Sequence, residues 1–332
     1  MKLHEHYKDL PRPGEPCVVT IGSFDGLHLG HQLLIEKVRN CAQEDGFRSA
    51  VLTFRPHPAK LLAPLYSPPL LMPHGRKLRA LEFLGLDTIL VQRFDRSFAD
   101  LTTGDFSKRV LAGSLSARRV VIGDDFTFGR DRKGGAGDLA DLGRQHGFEV
   151  EIVKRLSVEG MLVSSTRIRS FLLQGKVRGA ALLLGRPYRI QGEVVRGRGR
   201  GSALGFPTAN VKSDTEILPA RGVYVCHFHV AGRSEGMWAV CNVGHNPTFG
   251  HQKLGLEVHV LSPPGELLGK RVAVGFIRRL RAEVRFESPG ALAGQIQKDV
   301  DEAFRVKDQQ NEGVELEGMD GIVLDSGVVS HR

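Results

Sequence analysis

The chain has 332 residues, a formal net charge of +9 and a pI near 9.6, with 41% hydrophobic and 25% charged residues. This length suffices for two domains, the composition is that of a globular protein, and the positive charge favours polyanionic partners. No stretch approaches the roughly 20 apolar residues of a membrane span, and residues 1–6 lack the layout of a signal peptide, so we expect a cytoplasmic protein with no membrane contact.

The first half of the chain alternates short β-rich runs with helical patterns. Strands are predicted at residues 18–21, 50–54, 88–92, 119–122 and 149–153, and helices at 33–42, 76–85, 103–111, 138–146, 166–174 and in a last stretch ending near residue 184. This alternation is typical of a parallel sheet, because each helix carries the chain back to the same edge. We therefore predict an α/β domain with a doubly wound, Rossmann-like sheet.

From Tyr188 the pattern changes to short runs rich in Val, Tyr, Phe and Trp, separated by Gly, Pro and Ser. These runs lie at residues 188–195, 222–230, 237–243, 255–261 and 271–280, and a helical pattern follows at 291–303. Such spacing predicts an antiparallel β-barrel. We therefore expect domains at residues 1–185 and 186–306, followed by an acidic and poorly ordered tail at 307–332.

A glycine-rich segment, Gly22-Ser23-Phe24-Asp25-Gly26-Leu27-His28-Leu29-Gly30-His31, directly follows the apolar run 17–21. Such a turn between a strand and a helix lets backbone N–H groups approach a phosphate closely. His28 and His31 lie three residues apart, and a pair of this kind can donate hydrogen bonds to a phosphoryl group during an in-line displacement. A zinc site would need further ligands at suitable spacing, and none is evident. The segment therefore predicts nucleotide binding.

Two further segments fit the same site. Residues 53–58, Thr-Phe-Arg-Pro-His-Pro, follow the second predicted strand and should lie at the sheet edge where open α/β sheets bind ligands. Residues 163–169, Val-Ser-Ser-Thr-Arg-Ile-Arg, open a helix with hydroxyl groups and two arginines, which suit phosphate oxygens. A simple helix cap with surface arginines is the alternative for the second segment.

A second glycine-rich segment spans residues 197–210, Gly-Arg-Gly-Arg-Gly-Ser-Ala-Leu-Gly-Phe-Pro-Thr-Ala-Asn. Neither a dinucleotide fingerprint nor a P-loop fits, because Pro207 ends the segment, no helical pattern follows, and Gly-Lys-Ser/Thr is missing. The remaining interpretations are a basic loop that closes over nucleotide phosphates and an ordinary glycine-rich hairpin. Thr208 and Asn210 offer hard oxygen ligands suited to Mg²⁺.

Glu257 is a lone carboxylate in an apolar strand-like run. Buried acids are uncommon unless they are paired or functional, so a general base for a substrate hydroxyl is one interpretation. A glutamate on the polar face of an edge strand is the other, because the run alternates. The cysteines Cys17, Cys41, Cys226 and Cys241 show no C-x-x-C pair and no zinc spacing, and we expect buried free thiols.

These motifs together resemble those of the prokaryotic bifunctional riboflavin kinase/FAD synthetases. The first half is similar to the FMN adenylyltransferase module, including residues 121–129 as the family's loop between nucleotide and flavin, and residues 188–303 are similar to the riboflavin kinase module. The resemblance implies phosphorylation of riboflavin to FMN with ATP in the C-terminal domain. It then implies adenylylation of FMN to FAD, with release of pyrophosphate, in the N-terminal domain, and Mg²⁺ at both sites.

The resemblance also implies roles for individual residues. His28, His31, Arg169 and Glu257 would be catalytic, and Thr208 and Asn210 would bind the metal. Flavin would contact Pro56, His57, Pro58, Asp125, Phe128 and Arg281. The nucleotide and its phosphates would be held by Gly22, Phe24, Asp25, Gly30, Ser164, Ser165, Thr166, Gly199, Gly201, Gly205, Pro207, Thr208 and Asn210.

Some positions depart from the family pattern. Many relatives have Asn at Asp125, and an ionised Asp can only accept hydrogen bonds. Relatives often have Asp-Phe at Ser262-Pro263 and Leu-Tyr-Gly at residues 267–269. These loop changes motivate an alternative in which only one activity is live and the other module is a flavin-binding regulator.

Two other functions are further from the pattern. An adenylyltransferase for a phosphopantetheine-like or nicotinate nucleotide would not explain Pro207-Thr208-Ala209-Asn210 and Glu257. A nucleic-acid-binding module is disfavoured, because aromatic residues make up only 7% of the chain and no basic stripe with interleaved aromatics is present. We expect small-molecule partners, riboflavin, FMN and ATP, and no nucleic acid; the oligomeric state cannot be read from the sequence.

Overall fold

The computed structural model describes residues 2–11, 14–197, 199–245, 254–262 and 265–312. The packing of the chain divides it into two compact units, one of Met1–Pro69 with His74–Ser164 and one of Leu70–Pro73 with Ser165–Arg332. The main change of unit therefore comes at Ser164, earlier in the chain than the predicted boundary between residues 185 and 186. That domain boundary stays a prediction.

The described part of the first unit contains one six-stranded sheet. Its strands are β1 (Lys2–His4), β2 (Cys17–Ile21), β3 (Arg48–Arg55), β4 (Thr88–Arg93), β5 (Ala117–Gly123) and β6 (Glu149–Val153). They are ordered β1-β4-β3-β2-β5-β6, and each neighbouring pair is parallel. Every residue of β2 is buried, as in a central strand covered on both faces. A short hairpin of β7 (Ser157–Val158) and β8 (Met161–Leu162) follows β6.

Helices connect these strands. They are α1 (Leu29–Asp45), α2 (Pro58–Leu62), α3 (His74–Phe83), α4 (Arg96–Ala99), α5 (Thr103–Asp105), a π-helix (Phe106–Ser114) and α6 (Ala136–His146), with short 3₁₀ turns at Tyr7–Asp9, Pro64–Tyr66 and Arg130–Arg132. The predicted helix at 103–111 is therefore mostly a π-helix, in which the Leu115 N–H donates to the Val110 carbonyl five residues earlier, at 2.9 Å.

The strand order predicts where this sheet binds its ligand. β2 pairs with β3 on one side and with β5 on the other, so the order reverses between β2 and β5. Open α/β sheets bind ligands in the crevice beyond the carboxyl ends of strands at such a switch point. The turn that begins at Gly22 leaves β2 there, and the loop that begins at Asp124 leaves β5 there.

In the described part of the second unit, six strands form a closed barrel. They are β9 (Tyr188–Val195), β10 (Ala209–Ser213), β11 (Gly222–Val230), β12 (Met237–His245), β13 (Leu254–Val260) and β14 (Arg271–Arg281). The order is β10-β13-β12-β11-β14-β9, every pair is antiparallel, and β9 pairs back with β10. The predicted fold class, a doubly wound α/β domain and an antiparallel barrel, is therefore confirmed.

Side chains of the barrel alternate between two environments. Tyr224, Cys226 and Phe228 of β11 are fully buried inside it. Val223 and Val225, which point the other way, pack with Val300 of α10 (Pro289–Glu312). The other helices of this unit are α7 (Ser165–Leu173), α8 (Val177–Leu184) and α9 (Arg200–Ala203).

α10 is longer than the predicted helix at 291–303 and takes in the first residues of the predicted tail; the rest of that tail lies outside the described residues. All four cysteines are buried free thiols, as predicted. Across the described residues, we find no helix with both the length and the apolar character that a membrane crossing requires.

Candidate functional site

The turn between β2 and α1 has a strained backbone. Gly26 has a φ of 83°, and two residues that carry side chains, Phe24 (φ 50°) and Leu27 (φ 42°), also adopt left-handed conformations. Such conformations are costly for residues other than glycine and persist only where the surroundings hold them. Here the Phe24 and Leu27 side chains are completely buried, so packing stabilises the turn.

Two stacked histidines lie where this turn leads into α1. His28 is the N-cap of α1, and its Nδ1 accepts a hydrogen bond from the His31 N–H at 3.3 Å. Because Nδ1 accepts, a neutral His28 ring carries its proton on Nε2 and can donate it to a ligand. The two imidazole rings stack with centroids 3.6 Å apart. The pair therefore lies at the positive end of a 17-residue helix, where anions bind favourably.

The glycines of the motif make this close packing possible. A Cβ added to Gly30 would lie 3.4 Å from the His28 ring, and one added to Gly22 would lie 3.2 Å from the Phe24 ring. Both distances are tighter than usual side-chain contacts. Asp25, between them in the chain, is buried. The structure thus brings together the predicted residues Gly22, Phe24, Asp25, His28, Gly30 and His31.

Lys77 of α3 joins this turn, although nothing in the sequence motifs pointed to it. Its Nζ donates hydrogen bonds to the Ser23 carbonyl at 3.0 Å and to Thr53 Oγ1 at 2.9 Å. Thr53 Oγ1 also donates to the Ser23 carbonyl, at 3.4 Å. Burial lowers the pKa of Lys77 to about 8, while the nearby Asp25 carboxylate acts in the opposite direction.

The predicted flavin contacts Pro56, His57 and Pro58 directly follow β3. His57 caps α2, where its Nδ1 accepts from the Ala59 N–H at 3.2 Å, and Pro58 occupies the first turn of that helix. Proline is well suited to this position because the first N–H groups of a helix have no intrahelical partner. These residues therefore leave the carboxyl end of β3, next to the turn that follows β2.

The loop after β5 carries the other predicted flavin contacts of this unit. Asp125 is exposed, and its Oδ1 would be 3.1 Å from a Cβ on Gly123. Phe128 is buried in the core, with its ring 5.6 Å from that of Phe106. Phe126 stacks on Phe128 at 5.7 Å and is only partly buried. Phe128 thus packs as a core residue, and Phe126 is the more accessible ring of the pair.

The serine- and arginine-containing segment falls at the change between the two compact units. Ser164 ends the first unit, and α7 begins with Ser165 in the second. Thr166 is exposed in the first turn of α7, whereas Arg169 is buried. The predicted phosphate contacts of this segment remain predictions.

In the barrel, strand register brings three polar side chains into one row. Asn210 of β10 is opposite Glu257 of β13, which is in turn opposite Asn242 of β12. Directly opposed residues point to the same face of a sheet, with Cβ atoms about 5 Å apart. The interpretation of Glu257 as an edge-strand residue is wrong, because β13 lies between two partners in a closed barrel.

Asn242 belongs to this row although the motifs did not single it out as a site residue. Its chain neighbours Cys241 and Val243 are fully buried, so Asn242 points away from the barrel interior. Gly244 lies two residues further along. A Cβ there would be 2.5 Å from Glu283 Oε1 and 3.1 Å from Asn242 Nδ2, so another carboxylate lies beside the row.

The glycine-rich loop packs closely against the predicted metal-binding residues. A Cβ on Gly197 would lie 2.0 Å from Asn210 Nδ2, and one on Gly201 would lie 3.0 Å from Thr208 Oγ1. Gly199 and Gly205 have left-handed φ angles of 70° and 85°, which glycine adopts without strain. The loop therefore folds over Thr208 and Asn210 only because it lacks side chains at these points. Arg198 lies outside the described residues.

Pro207 is held by a residue two positions after the predicted base. His259 Nδ1 lies 2.9 Å from the Pro207 carbonyl, and because a carbonyl only accepts, this nitrogen carries the proton. The Phe206 ring meets the His259 ring edge to face at 5.6 Å. β13 therefore both carries Glu257 and anchors the segment that leads to Thr208.

Arg281, a predicted flavin contact, is tied to α10. Its Nε and Nη2 donate to the two carboxylate oxygens of Asp299 at 2.9 and 2.7 Å, and Gln295 Nε2 donates to Asp299 at 3.0 Å. Asp299 is buried. The Arg281 guanidinium also lies 5.7 Å from the centroid of the Phe286 ring. The side chain is thus held in place by a bidentate ion pair.

Comparison with known proteins assigns each half of the chain to a protein family. A family model for FAD synthetase matches residues 11–167, and one for riboflavin kinase matches residues 184–307. A bifunctional riboflavin kinase/FMN adenylyltransferase of Pseudomonas fluorescens is 38% identical over 286 residues, which cover 86% of this chain and 91% of that protein. The protein of the same name from Escherichia coli K12 is 36% identical over 300 residues, covering 90% and 96%.

This chain belongs to the bifunctional riboflavin kinase/FMN adenylyltransferase family.

A crystal structure described as a macrolide-efflux protein from Streptococcus pneumoniae also superposes, with a TM-score of 0.80 and 33% identity, over 90% of this chain and 97% of that chain. The predicted family is therefore confirmed. The FAD synthetase match contains the histidine pair, and the riboflavin kinase match contains the row of Asn210, Glu257 and Asn242. The catalytic and binding roles of single residues stay predictions.

Proposed function

We propose that this chain makes FAD in two steps, at two sites on its two compact units. ATP first phosphorylates riboflavin to FMN at the barrel, and a second ATP then adenylylates FMN at the parallel sheet. The observation that carries this proposal is that two separate clusters of polar side chains, each suited to binding phosphate, occur in one chain. His28 and His31 form one, Asn210 and Glu257 the other, and each lies within the segment that one family model matches.

In the adenylyl transfer, an oxygen of the FMN phosphate attacks the α-phosphorus of ATP. The bond from that phosphorus to the bridging oxygen breaks, and pyrophosphate leaves with the electron pair. The N–H groups of the His28 and His31 rings donate hydrogen bonds to the phosphate oxygens as negative charge builds on them. The N–H groups of Leu29 and Gly30 in the first turn of α1 add to this stabilisation, because helix geometry gives them no partner within the helix. The protein needs no covalent intermediate.

In the kinase step, the terminal ribityl hydroxyl of riboflavin attacks the γ-phosphorus of ATP, and ADP leaves. Glu257 takes the hydroxyl proton as general base. Its place between Asn210 and Asn242 supports this role, because all three side chains point out of the barrel on one face. The glycine-rich loop, Gly199, Gly201 and Gly205 among its residues, closes over the nucleotide phosphates.

The donor set at the barrel suits Mg²⁺. The Thr208 hydroxyl and the Asn210 amide oxygen are hard ligands, and Gly197 and Gly201 let the loop pack directly against these two side chains. Thr208 and Asn210 would hold the ion together with phosphate oxygens of ATP, where it would neutralise charge on the transferred group. Among the described residues, no cluster of three or more His, Cys, Asp or Glu side chains is placed to hold a metal.

The remaining assignments have weaker support. Pro56, His57, Pro58 and Asp125 follow β3 and β5 at the ligand-binding edge of the sheet, which favours contact with the flavin. Phe128 would act through Phe126, which covers it. Ser164, Ser165, Thr166 and Arg169 as phosphate ligands, and a cytoplasmic location, rest on the sequence alone.

A chromatographic time course tests the proposal. Purified protein receives riboflavin, ATP and Mg²⁺, and riboflavin, FMN and FAD are separated at intervals, with a parallel reaction that starts from FMN. We expect FMN first and FAD after it. If neither reaction forms FAD although FMN is present in both, the assignment of adenylyl transfer is wrong. If FAD forms from FMN but riboflavin gives no product, the assignment of the kinase step is wrong.

The same experiment addresses the alternative in which one module is only a flavin-binding regulator. That idea rested on the sequence changes at Ser262–Leu268, part of which lies outside the described residues. Nothing in the comparisons supports it, because the relatives match across both modules and carry both activities in their names. Omission of Mg²⁺, with a chelator present, should stop both steps.

A further inference from the structure

Lys77 occupies an unusual place for a lysine. Only 8% of its surface is exposed, and lysine is rarely so buried unless a partner holds it. On α3 it is three and four residues before Ala80 and Leu81, which are completely buried, so it lies on the apolar face of the helix. Its ammonium group reaches past this apolar face to two oxygen atoms at the ligand-binding edge of the sheet.

These two oxygens belong to different segments of the first site. The Ser23 carbonyl lies in the turn after β2, one residue before the strained Phe24, and the Thr53 hydroxyl lies near the end of β3. The Thr53 hydroxyl also donates a hydrogen bond to the Ser23 carbonyl, so the three residues form one hydrogen-bond network. Lys77 therefore ties the turn that carries the histidine pair to the strand that leads into Pro56-His57-Pro58.

A buried lysine that bridges two oxygen atoms contributes little to the free energy of unfolding. A buried ammonium loses its hydration, and an apolar side chain of similar length would fill the same space without that loss. Both hydrogen bonds of this buried charge go to the turn and its neighbouring strand, and the Asp25 carboxylate of the same turn lies nearby, which points to a role in the site. One of the two oxygens that Lys77 holds, the Ser23 carbonyl, is backbone, so Lys77 acts on the course of the chain as well as on the Thr53 side chain.

We propose that Lys77 is a positioning residue for adenylyl transfer: through Ser23 and Thr53 it holds the turn of residues 22–28 in the conformation that aims His28 and His31 at the reacting phosphate. This inference rests on the proposed function of the first site. It adds a residue to that site which touches neither substrate.

The test compares Lys77→Met with Arg79→Met. Arg79 is exposed on the same helix, so its variant controls for the loss of a basic residue from α3. We expect Lys77→Met to lower kcat for FAD formation from FMN about 10²-fold, because small misplacements of catalytic groups have effects of this size. FMN formation from riboflavin by the same preparation should not change, and neither should any rate of Arg79→Met.

Hydrogen exchange measures the positioning directly. In Lys77→Met the amides of residues 22–28 should exchange faster, while those of β5 keep their protection. A merely structural lysine would instead loosen β5 and residues 22–28 together. Unchanged kcat for FAD formation, or an equal loss of protection in β5 and in residues 22–28, would overturn the proposal.

Thr53→Val provides a second variant that keeps the volume of the side chain. It should lower kcat for FAD formation about 10-fold, since it removes one hydrogen bond to a charged group. The double variant should be no slower than Lys77→Met, because both changes break one network. If Lys77→Met does not fold, Thr53→Val decides alone, and wild-type kcat in that variant would refute the bridge. If the wild-type chain makes no FAD at all, the proposed function fails, and exchange at residues 22–28 still tests the bridge.

Discussion

The two units place their reactive side chains by different means. In the sheet unit the site is made of turns: residues 22–28 are held by buried apolar side chains, by a helix N-terminus and by Lys77 from a distant helix. In the barrel unit it is made of strands: Asn210, Glu257 and Asn242 are neighbours because backbone pairing fixes their register. A turn can shift without unfolding, whereas register in a closed barrel cannot slip one residue without exchanging its two faces.

This difference predicts different responses to mutation. Substitutions around the first site should change geometry and rate while the unit stays folded, because loops tolerate local change. Substitutions in the barrel row should remove a chemical group while the remaining geometry stays intact. The most informative variants of the barrel unit are therefore those that remove a chemical group without moving its neighbours. The most informative variants of the sheet unit are those that move the turn without removing a catalytic group.

The largest effect is expected for Glu257→Gln. The amide keeps the shape of the side chain but cannot take the hydroxyl proton, so FMN formation should fall about 10²–10⁴-fold. Conversion of FMN to FAD should stay at the wild-type rate. Glu193→Gln, on the exposed surface of β9, is the matched control and should leave both steps unchanged. A small loss in Glu257→Gln would mean that another group, such as Glu283, is the base.

The reciprocal variant is His31→Ala. It removes a ring that stacks on His28, so FAD formation should fall about 10²–10³-fold, as for loss of one donor to a developing charge. FMN formation should continue, and FMN should accumulate in the time course from riboflavin. His146→Ala, at the end of α6, controls for the loss of a histidine elsewhere in the unit. Loss of both steps in folded His31→Ala protein would show that the two units depend on each other.

The sequence was most informative where one continuous segment carried a whole feature. Residues 17–31 indicated a strand followed by a glycine-rich turn before a helix, and β2, the turn and α1 follow in that order, although α1 begins at Leu29 and not at the predicted residue 33. Glu257 was recognisable because a charge interrupts an apolar run. The reversal of strand order between β2 and β5 was not visible in this way, since it depends on which strands pair across the sheet.

Lys77 and Asn242 show what a pattern along the chain misses. Lys77 lies in a helix with several basic residues, and only its position three and four residues before Ala80 and Leu81 marks it as facing the core. Asn242 was not predicted as a site residue, because its place beside Glu257 depends on the strand register. Phe128 shows the converse, because the motif marked it for flavin while its ring packs in the core.

Asp299→Ala tests how the barrel depends on α10. It removes the carboxylate that holds Arg281 and should lower the free energy of unfolding by about 3 kcal/mol. This value is the lower end of the range for a broken buried ion pair, because 21% of the Arg281 side chain is exposed. Trp238, the only tryptophan, lies in β12, so its fluorescence in urea follows this unit. Asp301→Ala is the control: Asp301 is an exposed residue of α10 that accepts a hydrogen bond from Gln297, and its loss should change little.

The smallest effect concerns the pH dependence of stability in the sheet unit. Burial lowers the pKa of Lys77 from 10.5 to about 8. Between these values the unfolded chain still holds a proton that the folded chain has released, so the free energy of unfolding rises with pH through this window. Below pH 8 both states are protonated and the contribution is constant. Relative to Lys77→Met, the wild type should therefore gain about 1.5 kcal/mol of stability between pH 8 and about pH 9.5.

Urea unfolding of the two proteins across this pH range, followed by far-UV circular dichroism, measures that difference. Other groups titrate in the same range, but they are common to both proteins and cancel. Trp238 fluorescence recorded in the same samples should show no difference, because the barrel does not contain Lys77. A flat difference by circular dichroism would mean that Lys77 releases its proton at an ordinary pKa, so its ammonium would not be desolvated. The sheet unit would then hold its turn without a cost in stability.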